Sequence, residues 1–224
     1  MGQNVSEIGQ KTIAQQVEEY IDTHTVVRNA LQHGIVNYSA LTRRIQKSLE
    51  TTKNFEAILI AVRRNAEKLM KLREYIETKI QKILSESSFE IKTKIAVMTL
   101  ENSTDVVKML GNIVGELSSE RIHFHFIQGT GAVTFIIEQK YLEKLKKVEK
   151  DIIKLKKNLA EIVIKSSDVI ENVPGVDAFI LNSFAERNVN LIEFMSCYTD
   201  TLLILKPEDI TPAVELLGKM LKSS

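Results

Sequence analysis

The chain has 224 residues, 44% of them apolar and 26% charged. These proportions fit one large or two small globular domains and exclude a disordered chain. A single cysteine, Cys197, excludes an internal disulfide framework and any multi-cysteine metal site. No apolar run reaches the roughly 18 residues needed to span a bilayer. The first residues lack the basic and apolar regions of a signal peptide, so a cytoplasmic protein with no membrane partner is expected. Met1-Gly2 followed by Ser6 fits the pattern that precedes N-myristoylation. So short a pattern arises often by chance, and lipidation is not expected.

The net charge of +1 conceals an asymmetry. Residues 26–73 carry ten bases against three acids, whereas residues 158–205 carry two bases against seven acids. A basic segment followed by an acidic one suggests modules with different partners.

From Ile13 to Leu84 apolar residues recur at helical spacing. The pattern predicts helices over 6–22, 25–33, 38–49, 54–72 and 73–84. Gly34 suits a left-handed C-terminal cap, and Asn37 or Ser39 an N-cap. Helices 38–49 and 54–72, joined by a polar turn, have helix-turn-helix dimensions. Arg63, Arg64, Lys68 and Lys71 lie away from the apolar stripe of the second helix. Arg43 and Arg44 give the first helix a basic edge, and Lys53 lies in the turn. A helix in a major groove with flanking phosphate contacts uses such a division of faces. A solvated basic face, or a helical spacer, would carry the same residues.

Beyond Ser88 the period changes. Residues 89–97 alternate and then run apolar, as a strand does. Helix 104–117, strand 122–126, the turn at Gly129-Thr130-Gly131, strand 132–137 and a Lys/Glu-rich helix over 141–155 follow. The order then recurs: strand 160–166, helix 175–187, strand 189–196, strand 201–206 and helix 208–221. The expected fold class is α+β, with three parts. A helical, helix-turn-helix-like domain (1–87) precedes two ferredoxin-like βαββα units (88–157 and 158–224). Short edge strands favour side-by-side pairing of units or chains.

The stretch Val173-Pro174-Gly175-Val176-Asp177-Ala178-Phe179, followed by Phe184-Ala185-Glu186-Arg187-Asn188-Val189-Asn190-Leu191-Ile192-Glu193-Phe194, resembles an ACT domain. In that family Pro-Gly opens the first helix and an Asn-containing turn leads into the second strand. Residues 160–222 look most like the second regulatory ACT repeat of aspartokinases. Residues 89–157 follow the same plan, with Asn102-Ser103-Thr104 where Pro-Gly would stand. The segment Gly34-Ile35-Val36-Asn37-Tyr38-Ser39-Ala40-Leu41-Thr42-Arg43 ahead of such repeats resembles a group of archaeal proteins predicted to regulate amino-acid metabolism.

The resemblance implies an amino-acid effector as partner, bound by Asn172, Val173, Pro174, Gly175, Val176, Asp177, Asn190, Leu191 and Ile192. It also implies a homodimer formed through the ACT sheets. A helix N-terminus favours the effector's carboxylate, and Asp177 and Glu193 are candidate ammonium partners. The expected function is a ligand-responsive regulator of amino-acid metabolism that acts through DNA. The alternative is an ACT protein that regulates an enzyme by contact without binding DNA.

No phosphate-binding glycine motif is present. Cys197 shows no sign of a nucleophile's partner, so neither catalysis nor a cofactor is expected. His123 and His125 share one strand face, but a metal needs further ligands that the sequence does not advertise. A face packed against a neighbouring unit is therefore expected there, with no metal.

Overall fold

The computed structural model describes residues 11–49 and 55–221. The myristoylation pattern at Met1–Ser6 and the turn residue Lys53 lie outside the described residues. The chain divides into two compact units, Met1–Thr78 and Lys79–Ser224.

The first unit is built from α1 (Ile13–Thr23), α2 (Thr25–Gln32), α3 (Tyr38–Ser48) and the greater part of α4 (Phe55–Ser85). Thr12 and Gln15 form a reciprocal capping box that starts α1 at Ile13, inside the span expected from residue 6. After α2, the Gly34 N–H donates to the Leu31 carbonyl and the Ile35 N–H to the Ala30 carbonyl. Gly34 adopts φ +67° to allow this pair of bonds, which together make a Schellman cap. The Asn37 side chain then accepts from the Ala40 N–H at 3.0 Å and opens α3. Val17, Leu31, Ile45, Ile58, Val62 and Ala66 are fully buried and form one core. Helices expected separately over 54–72 and 73–84 are one continuous helix. With no glycine or proline between Phe55 and Ser85, nothing in the sequence interrupts its hydrogen bonding.

The second unit opens with β1 (Ser88–Glu101), α5 (Thr104–Ser119), β2 (Phe124–Gln128) and β3 (Ala132–Glu138). It continues with β4 (Ile152–Lys165), α6 (Val176–Ala185), β5 (Leu191–Cys197), β6 (Asp200–Leu205) and α7 (Ile210–Met220). The Lys/Glu-rich segment Gln139–Asp151 winds as a 3-10 helix. The expected helix over 141–155 therefore ends early, and Ile152 to Leu155 belong to β4. They pair with the end of β1, with Met98 opposite Leu155 and Leu100 opposite Ile152.

All six strands lie antiparallel in one sheet of order β2-β3-β1-β4-β6-β5. The long strands β1 and β4 pair with each other at the centre of this sheet. A boundary at residue 157 falls within β4. On one face Met98, Leu100, Val133, Phe135 and Ile137 pack with α5 residues Leu110, Ile113 and Leu117 and with Leu145 and Val148 of the 3-10 helix. On the other face Ile95, Val97, Ile136, Leu159 and Ile204 form a second cluster, joined by Ile192 and Met195.

This second face is curled. His125 on β2 and Glu161 on β4 stand three strand positions apart, about 14 Å in a flat sheet, yet their side chains touch at 3.1 Å. Register shifts between Lys92 and Ile95, and Lys94 and Asn158 at φ +57° and +56°, mark where the central pair departs from regular pairing. Such bulges bend a strand and deepen its twist.

Candidate functional site

The segment Val173–Asp177 lies between β4 and α6. Gly175 caps α6 at φ +92°, ψ 0°, a left-handed geometry that glycine adopts without cost. The first intrahelical bond runs from the Phe179 N–H to the Gly175 carbonyl at 2.8 Å. The backbone N–H groups before it have no acceptor within the helix. A cavity of about 390 Å³ opens here, lined by Ile170, Glu171, Val173, Pro174, Gly175, Val176, Asp177, Ser196 and Tyr198. Asp177 lines it, and its Oδ1 is buried with no hydrogen-bond partner among the described residues. Glu171 and Asp177 are the carboxylates of the lining, and both are negative when charged.

The structure therefore brings together five of the nine residues expected to bind an effector: Val173, Pro174, Gly175, Val176 and Asp177. Asn172 ends a short 3-10 turn and is exposed outside this lining. Asn190, Leu191 and Ile192 stand at the start of β5, whereas Ser196 near its end reaches the cavity. Four to six residues, about 13–20 Å of extended chain, separate them from Ser196. Within one chain the two groups do not share a site. Ser196 and Tyr198 went unnoticed because their approach depends on the β5–β6 hairpin returning to the end of β4, where Lys165 pairs with Asp200.

In the first unit Arg43, Arg44, Arg63, Arg64, Lys68 and Lys71 are all exposed. Lys68 donates to Glu18 of α1 at 3.1 Å, and Arg43 lies over the Phe55 ring at 6.0 Å.

A third constellation was only half visible in the sequence. His123 and His125 do share a face, with their Nε2 atoms 3.1 Å apart. They meet Glu161 of β4, whose Oε2 lies 3.1 Å from His125 and whose Oε1 lies 3.6 Å from His123. Lys92 adds its ammonium at 3.3 Å from Oε1. The Glu161 side chain is 1% exposed. Burial pushes its carboxyl upward, but hydrogen bonds from His123 and His125, with the charges of His125 and Lys92, outweigh that and hold it well below the usual carboxylate range. The expectation that the histidine pair lacks a further ligand is thus corrected. The third donor comes from 36 residues downstream of His125, through the curl of the sheet.

No family model and no curated protein sequence matches this chain. Solved structures similar to it include aspartate kinase of Clostridium acetobutylicum, at 15% identity and a TM-score of 0.49, covering 61% of this chain and 35% of that one. The regulatory subunit of aspartate kinase from Thermus flavus is similar at 15% identity and a TM-score of 0.47, covering 60% of this chain and 97% of that one. Aspartokinase III of E. coli, in complex with lysine and aspartate, is similar at 15% identity and a TM-score of 0.45, over 61% of this chain and 33% of that one. The chain thus spans about a third of the two longer kinase chains and nearly all of the regulatory subunit. Among the described residues no helix is long and apolar enough to cross a membrane.

Proposed function

We propose that the protein is a non-catalytic regulator that responds to an amino acid and acts on an enzyme by direct contact. The observation that carries this reading is the cavity at the start of α6, with its unpartnered Asp177 Oδ1 and the free N–H groups of the helix N-terminus. An amino acid supplies what both lack: an ammonium for the carboxylate and a carboxylate for the N–H groups. Because Glu171 and Asp177 both line the cavity, an effector with a second positive group, such as lysine, suits it best. The similarity of residues 173–194 to an ACT domain supports the same assignment. In the finer form of this reading, β4 serves as fourth strand to β1–β3 and β1 as fourth strand to β4–β6. The sheet is then two interlocked ferredoxin-like ACT units, preceded by a helical domain as in the archaeal group. A second chain meeting it sheet to sheet would form the homodimer and could bring its own Asn190–Ile192 segment to the cavity.

Direct contact ranks above DNA binding because one of the proposed phosphate-contacting bases, Lys68, is already engaged with Glu18. The exposed Arg43, Arg44, Arg63, Arg64 and Lys71 keep the DNA reading testable.

The test is a thermal-shift and calorimetric screen against the twenty amino acids. A ligand that binds only the native state raises the melting temperature by mass action. A shift for one or a few, led by basic ones and lost in Asp177→Asn, is the expected result. No shift for any, or a shift unaffected by that substitution, overturns the assignment. In parallel, Arg63→Ala with Arg64→Ala should leave any duplex affinity and its salt dependence unchanged. A flattened salt slope would favour DNA binding instead.

A further inference from the structure

We infer that His123, His125 and Glu161 form a binding site for a divalent zinc-type cation on the curled face of the sheet. The site is separate from the α6 cavity. The donor atoms come from the turn before β2, from β2 itself and from β4, and all lie within 4.8 Å of one another. Their geometry fits a shared ion. Nitrogen and oxygen ligands bound tetrahedrally at their usual zinc distances stand about 3.3–3.5 Å apart. The two Nε2 atoms stand 3.1 Å apart, and Glu161 approaches them through different oxygens, Oε2 at 3.1 Å from His125 and Oε1 at 3.6 Å from His123, so the carboxylate is near that edge length to each imidazole.

The chemistry of the donors points the same way. Two imidazole Nε2 atoms face each other and the same carboxylate. Protons serve this arrangement poorly: if both nitrogens carry hydrogen, two N–H groups confront each other, and if only one does, the other acts merely as an acceptor. A cation uses the lone pairs of all three groups at once. Burial then fixes the base of the site and opens its mouth. Glu161 is 1% exposed and His125 18%, whereas His123 is 52% exposed and gives an approach from solvent.

Lys92 is the native competitor. It supplies positive charge to Glu161 Oε1 at 3.3 Å, but its Nζ also lies 3.9 Å from Glu90 Oε1. It can turn to Glu90 as an ion enters. Two imidazoles and one carboxylate, with a coordination position left over, are a zinc donor set. Calcium and magnesium prefer oxygen donors and are poor fits. Copper would bind more tightly than zinc in vitro, as it does at most nitrogen sites. A bound ion would tie edge strand β2 to central strand β4, and its free position would accept one external ligand.

The test uses the whole chain after chelator treatment, titrated with zinc chloride by calorimetry and by competition with a chromophoric chelator. Cobalt substitution provides a spectroscopic readout. The expected result is one zinc per chain, unaffected by excess magnesium, with the intense visible bands of tetrahedral cobalt. Changes outside the ligand shell typically cost about 10–100-fold in metal affinity. Loss of a ligand in His125→Ala or His123→Ala should cost more than that and abolish the cobalt bands. His123 is exposed, so its variant keeps the test independent of folding. Lys92→Met should tighten binding. Absence of stoichiometric zinc, or zinc bound equally by both histidine variants, overturns the site. The cluster would then be an ion-pair network completed by Lys92 alone.

Discussion

Replacing Glu161 by Gln tests how a buried carboxylate is held in this sheet. The substitution keeps shape and volume and removes the charge that Lys92, His123 and His125 address. If Glu161 were paired with one fully buried cation, breaking the pair would cost roughly 3–5 kcal/mol. Here the partners can relax. Lys92 is 30% exposed and has Glu90 nearby, and His123 is half in solvent. The loss should therefore be that of hydrogen bonds to a charged group, about 1.5–3 kcal/mol. For a protein of this size each kcal/mol moves the melting temperature by about 2–4 °C, so a drop of several degrees is expected. Chemical and thermal denaturation in the presence of a chelator measures it without interference from any metal.

The pH dependence supplies a second reading of the same perturbation. The folded carboxyl titrates below its ordinary value of 4.5. Its stabilising contribution is therefore complete above that value and declines as pH falls through the lower folded-state value. The gap between wild type and Glu161→Gln should hold from neutrality to about pH 5 and close only in strongly acid solution. Equal stability of the two proteins at pH 7, or a gap that closes between pH 7 and 5, would refute the reasoning.

Two further predictions concern the backbone. In Gly175→Ala the added Cβ would meet only the Ile80 Cδ1 at 3.7 Å, an ordinary contact. The cost is thus that of the left-handed conformation, about 1–2 kcal/mol, and equilibrium urea unfolding of the second unit should show it. In the first unit Asn37→Ala removes the cap on the Ala40 N–H and should cost about 1 kcal/mol. Asn37→Ser should recover most of that, as followed by helical circular dichroism on heating.

Much of the fold was legible from local chemistry. Asn37 caps α3 where its side chain suits that position, and Gly34 ends α2 in the conformation glycine favours, whereas the Thr12 cap that starts α1 was passed over. The strands expected over 132–137 and 201–206 lie within a residue of β3 and β6. The Lys/Glu-rich segment misled at its end. Ile152 and Leu155 fit a helical stripe as well as a strand, and only pairing with β1 decides between them. The cavity was half legible for a related reason. Pro174-Gly175 announces a helix start, but no local pattern reports that Ser196 and Tyr198 return to it while Asn190 is carried away.

The sequence by itself determined the change from helical to strand-and-helix periodicity near Ser88 and the caps at Gly34 and Asn37, because these depend on residues within a few positions of one another. It also put His123 and His125 on one side of an extended segment, since side chains there alternate with a period of two. Only the tertiary structure decided that Glu161 completes their cluster. That contact requires β1 to pair with β4 in a specific register, bulges near Lys94 and Asn158, and a sheet curled enough to bring its edge back over its centre. Curl is the accumulated twist of several strands packed on one another, and no single segment of sequence carries it.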